Sequence, residues 1–213
     1  MIAAFDLDGT IINSEEGITN CVRYVLEYFD MEQPRQEELL CFIGPPLRQQ
    51  FMKIYGFDAQ KAEKGVIKFR ERFDKIGLYE CQLYPGIREL ILSLHQKGAR
   101  IALASSKHED ACIRILEHFD LLKYFEVVAG ATRDGKINTK AQVLHALSER
   151  MQVSPREITL IGDTAFDVMG AIEAGVHCAA VTYGFGSRDE LEKAGAEVIC
   201  DSVGEVGQYL ETI

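Results

Sequence analysis

A doubly wound parallel α/β sheet carrying an all-helical insertion is the fold this sequence predicts, on three observations. From Tyr84 to the carboxyl end, short apolar runs alternate with amphipathic stretches, the pattern that right-handed crossovers turn into a parallel sheet. The chain opens on the run Ile2-Ala3-Ala4-Phe5, which ends in Asp6-Leu7-Asp8-Gly9-Thr10, as a strand buried on both faces does when it empties into a loop. Between these parts, residues 14–80 contain no strand pattern. The expected organisation is therefore a core of residues 1–13 and 81–213 with a helical module of residues 14–80 inserted after the first strand.

Each element has a local reason. Asn13 or Ser14 caps a helix that runs to about Phe29 with Ile18, Val22, Val25, Leu26 and Phe29 on one face. Pro34 opens a second helix at its first turn. After the corner Gly44-Pro45-Pro46, helices are expected over Leu47 to Tyr55 and, with Asp58 as cap, on to Lys75. Tyr84-Pro85-Gly86 leads into a helix from Ile87 that stops at Gly98, followed by the strand Arg100 to Ser105. A helix from Glu109 to His118, the strand Phe125 to Ala129 and a helix from Thr139 to Met151 come next. The strand Ile158 to Ile161, the helix Phe166 to Ala174 and the strand Cys178 to Thr182 follow. The helix Arg188 to Ala194, the strand Val198 to Cys200 and a helix capped by Ser202 complete the pattern.

Bulk properties narrow the function classes. The 213 residues, 47% hydrophobic and 26% charged, suffice for a full core. A formal charge of -10 argues against nucleic acid, whose binding is driven by Lys and Arg neutralising phosphates. The 14–80 module, with ten basic and twelve acidic side chains, is the less acidic piece. No apolar run approaches the ~20 residues of a membrane span, and no signal peptide is expected at the start. Six scattered cysteines without a C-x-x-C pair read as reduced thiols of a cytoplasmic protein. Partners should be small molecules, with neither nucleic acid nor membrane among them; the oligomeric state is not encoded legibly.

The chemistry gathers at strand ends. Ligands of open parallel sheets sit beyond the carboxyl ends of the strands, where Asp6 and Asp8, two residues apart, point to one side of an extended backbone. A simple Asp-Gly turn explains Asp8 but not Asp6. Ser105-Ser106-Lys107 brings hydroxyls, backbone N–H groups and an ammonium to the end of the second core strand, where an anion can bind, although Ser at a helix entrance also serves as a cap. Lys140 follows the cap Thr139 and opposes the helix dipole at a cost of about 0.3–1 kcal/mol; it either extends into solvent or holds a negative group. Asp163 ends another strand and Asp167 lies on the first turn beyond it. Together with Asp6 and Asp8 they make an oxygen-rich cluster suited to Mg²⁺. Gly184-Phe185-Gly186-Ser187 is too short for a nucleotide loop and reads as a flexible connection.

Asp6-Leu7-Asp8-Gly9-Thr10, Ser105, Lys140 and Gly162-Asp163-x-x-x-Asp167 resemble, in order and position, the four motifs of the haloacid dehalogenase superfamily. The insertion, with Ile43-Gly44-Pro45-Pro46-Leu47 and the following Tyr84-Pro85-Gly86, resembles the helical cap of its phosphoglycolate phosphatase-like branch. Asn13 replaces an Asp common in that branch, and Lys140 lacks the Lys-Pro-x-Pro context of many relatives. The resemblance implies a Rossmannoid core and a Mg²⁺-dependent phosphatase acting on a small phosphorylated metabolite through an aspartyl-phosphate. It further implies Asp6 as nucleophile and Asp8 as acid and base. Metal ligands would be Asp6, Asp163 and the Asp8 carbonyl, with Asp167 orienting them. Ser105, Lys140, Thr10, Ser106 and loop N–H groups would bind the phosphoryl oxygens. Arg48 and Arg70 of the cap are candidates for the rest of the substrate, against the simpler reading of solvated arginines.

Competing readings are a phosphomutase, which tends to carry Glu-Asp and a small residue at the fourth motif, and a pyrophosphatase. A dehalogenase does not need Asp8. More distant are a phospho-acceptor signalling domain, which lacks a helical insertion, and a silent binding protein.

Overall fold

The computed structural model describes residues 2–213; Met1, included in the expected core range, lies outside them. The chain divides into two compact units, residues 1–13 with 83–213, and residues 14–82. It starts with β1 (Ile2–Phe5), every residue of which is buried, and β2 (Ile12–Asn13).

The smaller unit is helical. Its helices are α1 (Glu15–Tyr28), α2 (Gln36–Leu39), α3 (Leu47–Tyr55) and α4 (Ala59–Phe73). The helix expected after Pro34 is only one turn long and tightens into a 3-10 turn over Leu40–Phe42. The Asp58 side chain accepts from Lys61 N–H at 2.7 Å and starts α4 as an N-cap does. Val25 and Leu26 of α1, Phe51 of α3 and Phe69 of α4 are buried, each contributing about 1.5–3 kcal/mol. The 14–82 unit also contains a two-pronged ion pair. Arg72 Nη1 and Nη2 donate to Glu80 Oε2 and Oε1 at 2.6 and 2.8 Å.

That pairing, ahead of an opposing burial effect, lowers the Glu80 pKa. The resulting stability is present above the ordinary carboxylate range and is lost as pH falls through the lowered value. Glu80→Gln is expected to cost about 1–2 kcal/mol at neutral pH, allowing for water on the pair's outer side. In thermal melts the gap to wild type should close on acidification; a gap independent of pH would contradict the assignment.

The chain returns through β3 (Gln82–Leu83). The larger unit then adds α5 (Ile87–Gln96), β4 (Arg100–His108), α6 (Glu109–His118), β5 (Val127–Ala131) and α7 (Lys140–Met151). After these come β6 (Ile158–Gly162), α8 (Ala165–Ala174), β7 (His177–Val181), α9 (Arg188–Lys193), β8 (Val198–Cys200) and α10 (Val203–Leu210). Strands β5-β4-β1-β6-β7-β8 form one six-stranded sheet in that order, and its pairings are parallel. The order reverses direction on either side of β1, so β1 is central and the doubly wound architecture expected from the alternation is the one observed. On one face, Val143, Leu144 and Leu147 of α7 pack with Ala4, Ala102 and Leu160 of the sheet. Small residues on the strands let the helix approach closely.

Two strand boundaries differ from those expected. β4 continues past Ser105 to His108, with a register irregularity between those residues. β5 begins at Val127 because Leu122–Tyr124 form a 3-10 turn just before it.

Candidate active site

Three neighbouring strands end side by side and bring the predicted acids together. Asp6 follows β1, and its backbone N–H continues the ladder by donating to Ile161 O at 2.8 Å. Beyond it the chain turns back on itself: the N–H groups of Ile11 and Ile12 both donate to Leu7 O, and Gly9 takes φ 82°, a conformation glycine adopts without steric cost. Asp163 follows β6, and Ser105 lies buried in β4. The topological switch point of the sheet is thus also its chemical focus.

The fourth acid arrives on α8. Asp167 Oδ2 accepts from the Thr164 N–H at 3.0 Å and from its hydroxyl at 2.7 Å, which closes a capping box and fixes the carboxylate. Lys140 starts α7 behind the Thr139 cap, whose side chain accepts from Gln142 N–H. Lys140 does not extend into solvent. Its ammonium donates to Ala104 O at 2.8 Å and stands 2.8 Å from Asp6 Oδ1 and 2.7 Å from Asp167 Oδ1. A Cβ on Gly170 of α8 would lie 2.6 Å from the Lys140 Cβ, so the absence of a side chain there lets the lysine stem pass.

Asp6, Asp163 and Asp167 each offer an oxygen within 4.8 Å of the others, and all three residues are buried. The Lys140 ammonium pairs with two of these three carboxylates, Asp6 and Asp167. Burial pushes the Asp6 carboxyl up to about 6, against the attraction of Lys140 and with help from Asp167 and Asp8. Burial likewise raises Asp163 well above the ordinary range, reinforced by Asp167 and Asp6. Burial works against the Lys140 charge too, but Asp167 and Asp6 outweigh it and hold the ammonium above its usual range. Asp163 Oδ1 is buried with no hydrogen-bond partner. Excess negative charge around an unsatisfied hard oxygen is the environment that a divalent cation with oxygen preference relieves, so these residues fit Mg²⁺.

The Asp8 side chain stands apart from this trio. Its Oδ1 accepts from Lys107 Nζ at 2.6 Å, and both side chains are largely covered. The ammonium noted at the end of β4 therefore meets an anion of the protein itself. Ser105 Oγ accepts from the Lys107 N–H at 3.3 Å, and Ser106 is exposed. Thr10 is fully buried, and its Oγ1 has no hydrogen-bond partner. Arg48 and Arg70 belong to the 14–82 unit and are exposed; Arg48 lies 3.9 Å from Glu63. The sequence gives no warning of the Asp8–Lys107 pair, because 99 residues separate the partners. Nor does Gly184–Ser187 read as part of the site, yet Gly184 and Gly186 lie directly against Asp163.

The profile of haloacid dehalogenase-like hydrolases matches residues 3–181, most of the chain. The chain belongs to that family. It is similar to a 5'-nucleotidase of Pseudomonas aeruginosa, with 37% identity over 208 residues, 98% of this chain and 94% of the relative. It is also similar to tyrosine-protein kinase PtkA of Mycobacterium tuberculosis, 33% identical over 93% of this chain and 67% of that protein. Among solved structures, a predicted phosphatase from Clostridium acetobutylicum superposes with a TM-score of 0.94 at 38% identity, covering 100% of this chain and 98% of the other. Within the haloacid dehalogenase-like hydrolases the chain's place is with the phosphoric monoester hydrolases, and it is an enzyme. Among its described residues no helix is long and apolar enough to cross a membrane.

Proposed function

We propose that the protein is a cytoplasmic, Mg²⁺-dependent phosphatase that hydrolyses small phosphate monoesters through an aspartyl-phosphate on Asp6. The observation that carries this reading is the buried trio Asp6, Asp163 and Asp167, in which the Lys140 ammonium pairs with Asp6 and Asp167 and leaves Asp163 Oδ1 unsatisfied. Asp6 keeps 8% of its surface exposed although its Oδ1 is covered, which leaves the carboxylate reachable at the mouth of the site.

In this scheme an Asp6 oxygen attacks phosphorus as the bond to the leaving oxygen breaks. Asp8 delivers a proton to that oxygen and then takes one from the water that releases phosphate from Asp6. Lys107, at 2.6 Å, orients the Asp8 carboxylate. Asp6, Asp163 and the Asp8 carbonyl would hold Mg²⁺. When bound, the ion supplies positive charge that offsets repulsion between the carboxylates and the incoming phosphate. Asp167 is occupied by Thr164 and Lys140, which suits a role in orienting rather than binding. Lys140, Ser105, Thr10 and Ser106 are the candidates for contacts to phosphoryl oxygens. On the same reading, residues 14–80 act as the substrate-selecting cap of a core formed by residues 1–13 and 81–213, with Arg48 and Arg70 as its candidate contacts.

The test is phosphate release from a panel of phosphoglycolate, sugar phosphates, nucleotides and pyrophosphate, with Mg²⁺ and with EDTA. Release from at least one monoester that stops with EDTA is expected. No release from any member overturns the reading. An isomeric sugar phosphate formed without free phosphate would instead identify a mutase, and preference for pyrophosphate a pyrophosphatase.

A further inference from the structure

Between β7 and α9 the chain passes through Thr182-Tyr183-Gly184-Phe185-Gly186-Ser187. This segment packs around one carboxylate. Phe185 N–H donates to Asp163 Oδ2 at 2.8 Å. A Cβ on Gly184 would lie 2.5 Å from that same oxygen, 2.4 Å from the Asp163 Cβ and 2.3 Å from Gly9 O. A Cβ on Gly186 would lie 2.1 Å from the Asp163 carbonyl oxygen. From the other direction, a Cβ on Gly9 would fall 1.9 Å from Asp163 Oδ2. The segment is tied to the Gly9 turn by the Tyr183 hydroxyl, which donates to Thr10 O at 3.2 Å, while the Tyr183 ring packs edge-on against Tyr84 at 5.0 Å.

The two oxygens of a free carboxylate are equivalent, and here the backbone makes them different. Oδ2 accepts the Phe185 N–H and lies against Gly9 and Gly184. Oδ1 is buried and unpartnered. Oδ1 is therefore the oxygen with no protein partner and the one open to a cation. Mg²⁺ takes near-octahedral coordination, one oxygen from each carboxylate, and retains several waters; Ca²⁺ takes six to eight oxygens at longer distances and readily uses both oxygens of one carboxylate.

We infer that the Tyr183–Gly186 segment is a positioning clamp that holds Asp163 as a one-oxygen ligand and thereby sets a preference for Mg²⁺ over Ca²⁺. The glycines are required because any side chain would push Asp163 out of place. Gly184 needs no unusual backbone angle, since its φ is not in the left-handed region; its requirement is purely one of space. The inference rests on the metal-site reading proposed above.

Calorimetric titration of the metal-free protein with Mg²⁺ and with Ca²⁺ tests it, on wild type, Gly184→Ala and Tyr183→Phe, with folding checked by circular dichroism. Wild type is expected to bind Mg²⁺ more tightly than Ca²⁺. Gly184→Ala should weaken Mg²⁺ binding by about tenfold or more, weaken Ca²⁺ binding less, and so narrow the ratio between them. Tyr183→Phe adds no atom, serves if Gly184→Ala does not fold, and should shift the ratio in the same direction by about fivefold. A folded variant with an unchanged Mg²⁺ affinity, or with equal losses for both ions, overturns the clamp and leaves the metal site standing. A wild-type protein that binds neither ion removes both.

Discussion

Asp6→Asn is expected to end phosphate release from any monoester the wild type accepts, by a factor of at least about a thousand. The amide nitrogen and carbonyl oxygen are too weakly nucleophilic to attack phosphorus, and the fold has no reason to fail, because asparagine matches the shape of aspartate. Residual activity near the wild-type level would sink Asp6 as nucleophile. The variant carries a second signature in stability. Without metal, burial pushes the Asp6 carboxyl up to about 6 from an ordinary 3.8, so the folded chain holds that proton more tightly than the unfolded chain. The stability this group contributes is complete below its ordinary pKa, declines as pH rises, and is gone above about 6. In EDTA, wild type should therefore gain on Asp6→Asn by roughly 2 kcal/mol between neutral pH and about pH 4. Melting curves of the two proteins that run parallel across this window would contradict the charge account of the site.

Lys140→Met is expected to lower stability in EDTA by about 3–5 kcal/mol. Methionine keeps the apolar stem that passes Gly170 and removes the ammonium that stands 2.8 Å from Asp6 Oδ1 and 2.7 Å from Asp167 Oδ1. Ala104 O loses its donor at the same time. Three buried carboxylates without a cation either take up protons or drive the site open. Added Mg²⁺ should recover part of the loss, since an ion that binds only the folded chain stabilises it in proportion to the logarithm of its concentration over its dissociation constant. Urea unfolding with and without Mg²⁺ measures both effects. A variant as stable as wild type in EDTA would show that the ammonium is not what holds these acids together.

How far the site was legible depended on where each signal resides. Asp6, Asp163 and Asp167 could be placed because an acid at the end of an apolar run, or on the first turn after one, is a local pattern, and the parallel sheet aligns such ends. α3 and α6 match their expected bounds for the same local reason: Pro46 precedes Leu47, and acids fill the first turn at Glu109 and Asp110. The Lys107–Asp8 pair and the packing of Gly184 on Asp163 are contacts between distant segments, and neither residue type announces its partner. Lys140 is ambiguous from sequence alone, since a first-turn lysine can face water or the interior with equal ease. The expected helix after Pro34 shortens to one turn that ends in a 3-10 turn, with its buried apolar anchors confined to its end at Leu39, Phe42 and Ile43.

The central position of β1 has a kinetic consequence. Its four residues are made before the rest of the sheet, yet their earliest partner begins at Arg100 and the other at Ile158. At roughly 5–20 residues per second, the apolar run waits many seconds on the ribosome before either edge can be covered. Most of that delay is occupied by making the helical segment of residues 14–82, whose contacts are local and quick to form. A nascent chain released before β6 emerges would present one open, hydrophobic strand edge to its neighbours. Premature termination in this protein should therefore yield aggregates rather than a partially working enzyme.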